Sequence, residues 1–253
     1  MSIQPEIIIR PDSAAVQQAA AEYVATLIQE RVAERDTFTI VLAGGNTPRG
    51  LYQRLSDEPF HSQVPWEQVH VVWGDERYVP YADGESNYQM ARDSFLMHVP
   101  IPQDQVYPIP THYPTPHKAA TIYARMVEMT LEMGEGLFDL VILGIGADGH
   151  TASLFPHHPA LDTSEDILVV AVENAPKPPP QRVSLTATTL SHAACVLFLA
   201  TGAEKAEAIH ATLQGPPDPH RWPAQRIQPP APASKLIWFV DSEAGQYLGV
   251  DNS

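Results

Sequence analysis

The segment Leu143-Gly144-Ile145-Gly146-Ala147-Asp148-Gly149-His150-Thr151-Ala152-Ser153-Leu154-Phe155-Pro156 sets a histidine behind three glycines at the end of an apolar run. Glycines there open backbone space beside an imidazole, the side chain whose unperturbed pKa of ~6.5 lets it take a proton at neutral pH. His150 is therefore read as a general base toward water. A structural hydrogen bond is the competing role for an arbitrary histidine, and the glycine context weighs against it here. Asp148 either orients the imidazole or only shapes the turn. Pro156 limits any helix after His150 to about one turn, because the residue before proline avoids helical dihedrals.

A second group of residues suits an anion. In Leu42-Ala43-Gly44-Gly45-Asn46-Thr47-Pro48-Arg49 a strand runs into two glycines and a helix start, with Thr47 expected as cap and Pro48 at the first helical position. Gly44 and Gly45 let an anion reach the backbone, and the helix N-terminus offers unpaired N–H groups and a favourable dipole, so Gly44, Gly45, Asn46 and Thr47 are candidate phosphate contacts. A tight turn without ligand would use the same residues. The segment is neither a Walker A motif nor a dinucleotide fingerprint. Arg77, after Trp73-Gly74-Asp75-Glu76, offers a fork of donors that the two acids either hold in place or merely neutralise. Ser86 caps a helix, and Asn87 beside it is a candidate contact for a sugar hydroxyl. The stiff stretch Pro176-Lys177-Pro178-Pro179-Pro180-Gln181-Arg182 presents Lys177 and Arg182 to an anion at reduced entropic cost, or serves as a polyproline ligand. Lys205 begins a later helix and is either a solvated charge or a further contact.

No metal site is expected. His157 and His158 are adjacent and point apart, no carboxylate stands at a known ligand spacing, and Cys195 opens an apolar strand where burial outweighs reactivity. No organic cofactor is expected either.

The elements that must position these residues are legible as short apolar runs at Glu6 to Ile9, Phe38 to Ala43, Val69 to Trp73, Leu140 to Ile145, Ile167 to Val172, Val196 to Ala200 and Leu236 to Val240. Continuous rather than alternating runs predict strands buried on both faces of a parallel sheet. Between them, Asp12 caps a helix with Val16, Ala20, Val24 and Ile28 on one face, Ser86 with Gln89 forms a capping box, and Thr115-Pro116 opens a helix that Gly134 stops. The alternation predicts an α/β fold, a mainly parallel Rossmann-like sheet with helices on both faces, whose ligands bind beyond the carboxyl ends of the strands.

The chain has 253 residues, 44% of them hydrophobic and 18% charged, which is a globular composition. No repeat or Gly/Ser linker divides it, so residues 1–253 are expected to form a single domain. With Lys plus Arg at 15 and Asp plus Glu at 30 the formal charge is −15, which disfavours nucleic acid as a partner. One cysteine excludes an intrachain disulfide, and the start Met1-Ser2-Ile3-Gln4-Pro5 has no basic flank before an apolar core, so a cytoplasmic location without membrane contact is expected. The 25 prolines cluster near 100 to 116, 176 to 180 and 216 to 232 and are expected to be rigid loops. Oligomeric state is left open, a monomer included.

Gly44-Gly45-Asn46-Thr47-Pro48, Trp73-Gly74-Asp75-Glu76-Arg77, Ser86-Asn87-Tyr88, the Gly144 to Pro156 segment and Pro176-Lys177-Pro178-Pro179-Pro180 together resemble the motifs of the 6-phosphogluconolactonases, in that family's order over nearly the whole chain. The resemblance implies hydrolysis of 6-phosphoglucono-1,5-lactone in the oxidative pentose phosphate pathway and the fold shared with glucosamine-6-phosphate deaminases and ribose-5-phosphate isomerases. It implies that His150 activates water and that Arg77 and Lys177 hold the phosphate of a small sugar phosphate lactone. Asn46 stands where serine is common in the family. One alternative is an amino sugar phosphate deaminase or isomerase, which needs a carboxylate base and whose family tends to follow Gly-His with Asn-Glu-Pro rather than Ser153-Leu154-Phe155-Pro156. The other is a non-catalytic sugar-phosphate sensor.

Overall fold

The computed structural model describes residues 3–230 and 232–249. Met1 and Ser2 of the N-terminal segment, Ala231 of the last proline cluster and residues 250–253 lie outside them. Seven parallel strands form the main sheet: β1 (Glu6–Arg10), β2 (Phe38–Leu42), β3 (Val69–Trp73), β5 (Val106–Tyr107), β6 (Leu140–Gly144), β9 (Cys195–Ala200) and β10 (Lys235–Asp241). Their spatial order is β1-β10-β9-β6-β2-β3-β5. A smaller antiparallel sheet, in the order β4-β8-β7, is built from β4 (Asp75–Arg77), β7 (Val169–Val172) and β8 (Arg182–Leu185). The helices are α1 (Ser13–Arg35), α2 (Asn46–Ser56), α3 (Phe60–Gln63), α4 (Asn87–Ala91), α5 (Pro116–Met133), α6 (Ala187–Ser191) and α7 (Ala206–Leu213).

β2 and β9 are buried along their whole length and β3, β6 and β10 nearly so, as their continuous apolar runs require. Three expectations are corrected. β1 is an edge strand paired only with β10, leaving Ile7 and Ile9 36% and 42% exposed, because an apolar run does not encode whether a second neighbour exists. The run Ile167 to Val172 yields β7, which pairs antiparallel with β8 in the small sheet. Its partner reads Arg182-Val183-Ser184-Leu185, an alternation typical of antiparallel pairing. The proline cluster near 100 to 116 is not loop throughout, since it contains β5 on the far edge of the main sheet.

The helix caps at Asp12 and Thr115 hold. Asp12 Oδ1 accepts the Ala15 N–H at 2.9 Å and Thr115 Oγ1 the Lys118 N–H at 3.2 Å, with Pro116 in the first turn. Ser86 Oγ accepts the Gln89 N–H, but the Gln89 amide bonds forward to Asp93, so only half of a capping box forms. The helix it opens runs on through a π turn at Arg92–Leu96.

Two tyrosines finish the strands that lead to the site. Tyr52 of α2 takes the N–H and gives its O–H to the carbonyl of Ala43, each at 2.9 Å. Tyr123 of α5 does the same at Trp73, at 2.7 and 3.1 Å. Both rings are fully buried, so each hydroxyl satisfies two backbone groups where the chain leaves β2 or β3.

Candidate active site

The chain leaves β2 toward β3 on one side of the sheet and β6 lies toward β9 on the other, so a crevice opens between the carboxyl ends of β2 and β6. A cleft of about 380 Å³ occupies it, walled by the loops that follow β2, β3, β6 and β9.

His150 stands at one end, on a turn that only glycine permits. Gly149 N–H bonds to Gly146 O at 2.9 Å, Gly146 N–H to His150 O at 2.8 Å, and Gly149 has φ +85°. A Cβ on Gly146 would lie 2.0 Å from His150 Nδ1, so the ring folds over the loop through the space glycine leaves. Nδ1 lies 2.5 Å from Asp148 Oδ1, and the ring packs on Phe155 with centroids 4.8 Å apart. Asp148 is an obligate acceptor when ionised, so Nδ1 is the donor, and in the neutral ring this tautomer leaves the lone pair on Nε2. Lys177 Nζ lies 3.2 Å from each Asp148 oxygen and 3.4 Å from Nδ1, two donors sharing one carboxylate. Partial burial alone would raise the Asp148 pKa, but the hydrogen bond and charge of His150, with those of Lys177, hold it well below the usual carboxylate range.

The other end of the cleft is the start of α2. Gly45, with φ +99°, is the N-cap, so the helix begins at Asn46. This corrects the expected cap: Thr47 is inside the helix with its hydroxyl 2.9 Å from Thr201 Oγ1, and Pro48 is its third residue rather than its first. The first-turn N–H groups have no intrahelical acceptor, which leaves them for an anion. Gly44 passes so close to Asn87 that a Cβ would meet Oδ1 at 2.0 Å. Asn87 is held in turn, its amide donating to Asp75 O at 2.9 Å.

Cations converge on the same space. Arg77 and Arg182 are direct cross-strand partners in β4 and β8 and both line the cleft. Like charges so paired repel, and burial and Arg77 lower the Arg182 pKa against the opposing pull of Asp75. Arg77 Nη1 donates to Glu85 O at 2.8 Å, while its buried Nε has no partner among the described residues. Arg182 donates to the carbonyls of Lys177, Pro178 and Pro179, each at 3.2 Å, and so also anchors the proline stretch. Lys205 lines the cleft as well, from the loop after β9.

Of the residues read from the sequence, Gly44, Gly45, Asn46, Thr47, Arg77, Asn87, His150 and Arg182 meet around the cleft, whereas Asp148 and Lys177 do not line it and stand beside the His150 Nδ1 edge. Thr201 was missed, and Asp75 was read only as an acid beside Arg77. Both follow the carboxyl ends of predicted strands, the one position signal that would have found them. Glu76 was read as a neighbour of Arg77. Buried, it accepts the N–H groups of Arg77, Asn87 and Tyr88 and the Ser86 hydroxyl, which fixes α4 to β4. Burial pushes its pKa up to about 7, with those four donors pulling the other way. Among the described residues no group of three His, Cys, Asp or Glu could hold a metal ion, and no helix is long and apolar enough to cross a membrane.

Residues 11–238 match the family described as glucosamine-6-phosphate isomerases/6-phosphogluconolactonase. The 6-phosphogluconolactonase of Synechocystis is 37% identical over 247 residues, covering 96% of this chain and 98% of that protein. The solved 6-phosphogluconolactonase of Trypanosoma brucei superposes with a TM-score of 0.86 at 29% identity, over 98% of this chain and 100% of its own. A monomeric glucosamine-6-phosphate deaminase reaches a TM-score of 0.78 at 21% identity, covering 95% of this chain and 99% of its own, which is a likeness of fold.

Proposed function

From a chain that belongs to the glucosamine-6-phosphate isomerase/6-phosphogluconolactonase family, we propose an enzyme that hydrolyses 6-phospho-D-glucono-1,5-lactone to 6-phospho-D-gluconate. The observation that carries the reading is the pairing, in one cleft, of a histidine whose Nδ1 is engaged by Asp148 with a glycine-cushioned helix start faced by Arg182 and Lys205. His150 Nε2 takes a proton from water as the water oxygen bonds to the lactone carbonyl carbon. The tetrahedral oxyanion collapses, the bond from that carbon to the ring oxygen breaks, and the imidazolium returns the proton to the ring oxygen. Asp148 keeps the tautomer and steadies the imidazolium, with Lys177 beside it.

The phosphate contributes binding energy remote from the reacting carbon and fixes the carbonyl beside His150. Gly44, Gly45, Asn46 and Thr47 receive it with Arg77, Arg182 and Lys205, and Asn87 borders the sugar. In this reading residues 1–253 act as one domain in the cytoplasm, without metal or organic cofactor and without nucleic acid as a partner. The test is lactone hydrolysis measured above the spontaneous background; a rate equal to that background overturns the proposal.

Asp75 favours a second reading. It is a carboxylate on the cleft wall, which an amino sugar phosphate deaminase needs as a base, although its Oδ2 already accepts the Ser153 hydroxyl at 2.6 Å. Ammonia release from glucosamine 6-phosphate at a rate matching lactone turnover would replace the first reading with this one.

A further inference from the structure

The last proline cluster, which no functional expectation absorbed, packs on the turn that carries His150. Arg221 Nη1 donates to Asp148 O at 3.0 Å, and its guanidinium lies 4.2 Å over the Trp222 ring. Trp222 fills the space beside Gly149 so closely that a Cβ there would lie 2.5 Å from Cε3. Ala224 N–H bonds to Gly149 O at 3.2 Å. Three residues of the cluster, Arg221, Trp222 and Ala224, thus seize two consecutive residues, Asp148 and Gly149, immediately before the base.

The segment is itself tied down on its far side. Asp218 O accepts the N–H groups of Arg221 and Trp222 at 3.1 and 2.8 Å, and the Gln225 side chain bridges Asp218 N and Ala211 O of α7 at 2.7 and 2.9 Å. Arg226 Nη1 donates to Leu161 O at 2.8 Å. The prolines stiffen the backbone between these ties.

The geometry points to Arg221 and Trp222 as positioning residues for the reaction, a role that rests on the lactonase reading. Arg221 neither lines the cleft nor bonds to the Asp148 carboxylate. It acts through the peptide group: holding the Asp148 carbonyl fixes the plane of the Asp148–Gly149 peptide, and the indole against Gly149 prevents that peptide from flipping. The Asp148 carboxylate is thereby aimed at Nδ1 and the His150 Nε2 at the cleft. A base displaced by about 1 Å loses on the order of a hundredfold in rate, so the cluster sets turnover without touching substrate.

The experiment compares wild type, Arg221→Ala, Arg221→Lys, Asp148→Asn and the double variant Arg221→Ala/Asp148→Asn in kcat, KM for the lactone and thermal unfolding. Expected for Arg221→Ala are a kcat lower by about tenfold or more and a KM within about twofold of wild type, because the phosphate end is untouched. Arg221→Lys, which keeps a donor for the carbonyl, recovers most of the rate. The double variant is no slower than Asp148→Asn, because both changes release the same imidazole. A kcat equal to wild type in Arg221→Ala, a rise in KM alone, or losses that multiply in the double variant would overturn the inference while leaving the lactonase reading intact. Wild type with no turnover above background would remove that reading instead. If Arg221→Ala unfolds, Trp222→Phe decides: a kcat unchanged in a folded Trp222→Phe protein overturns the role, and a fall in kcat at constant KM sustains it.

Discussion

At the scale of single residues, the cleft divides its tasks between a proton carrier and charge carriers, and substitutions should separate the two. His150→Ala removes the base, so kcat falls by about 10² to 10⁴ while 6-phosphogluconate still binds within about twofold of wild type, as titration calorimetry can measure. Undiminished turnover would remove His150 from the mechanism. Arg182→Ala and Lys205→Ala each remove a charged donor, a loss of about 1.5–3 kcal/mol that raises KM roughly ten- to a hundredfold. The smaller effect on kcat distinguishes them from His150→Ala, and an unchanged KM in both would place the phosphate elsewhere. His150 and the two glycine loops were legible because glycine beside an ionisable group is a local pattern. Asp148 was legible as one of two roles, and the 2.5 Å approach to Nδ1 favours the orienting one. Lys205 was likewise legible as one of two roles, and Thr201 only by its place after a predicted strand; both join the cleft because β9 lies next to β6.

At the scale of elements, six of the seven strands of the Rossmann-like sheet were readable from apolar runs, whereas the two-residue β5 and the small sheet were not. β4 has three residues and carries Asp75, Glu76 and Arg77, a composition that predicts no strand by itself. It forms because β8 supplies its partner and because Glu76 gathers the start of α4 onto it. Glu76 therefore links protonation to stability. Its folded-state pKa of about 7 exceeds the ordinary 4.5, so the folded protein holds the extra proton between those values. That stability is fully present below about pH 4.5 and is lost as pH rises through about 7. Wild type should melt progressively lower across this window. Glu76→Gln should start about 1–3 kcal/mol less stable, because its amide cannot accept from every donor, and show a flatter dependence. Parallel melting curves for the two proteins would show that Glu76 does not titrate there. The switch of the Thr47 cap to Gly45 belongs to this scale too: a φ of +99° at Gly45 lets the chain turn two residues earlier than the Thr-Pro pair suggests.

At the scale of the molecule, the cleft gathers loops from the middle of the sequence while the first and last strands of the main sheet lie side by side, Glu6 level with Ile237 and Ile9 with Val240. β10 also separates β1 from β9. A chain emerging from the ribosome, at about 5–20 residues per second, therefore holds β1 without its partner strand until β10 has been made. The inner face of α1, with Val16, Ala20, Val24 and Ile28, lacks part of its eventual cover for the same interval, since α1 packs on β10 as well as on β1 and β2. Nascent chains stalled with residue 230 just outside the exit tunnel should be cut by protease within α1, and chains stalled after β10 has also emerged should resist that cleavage. Synthesis thus leaves one sticky edge open for the whole interval between the making of β1 and of β10.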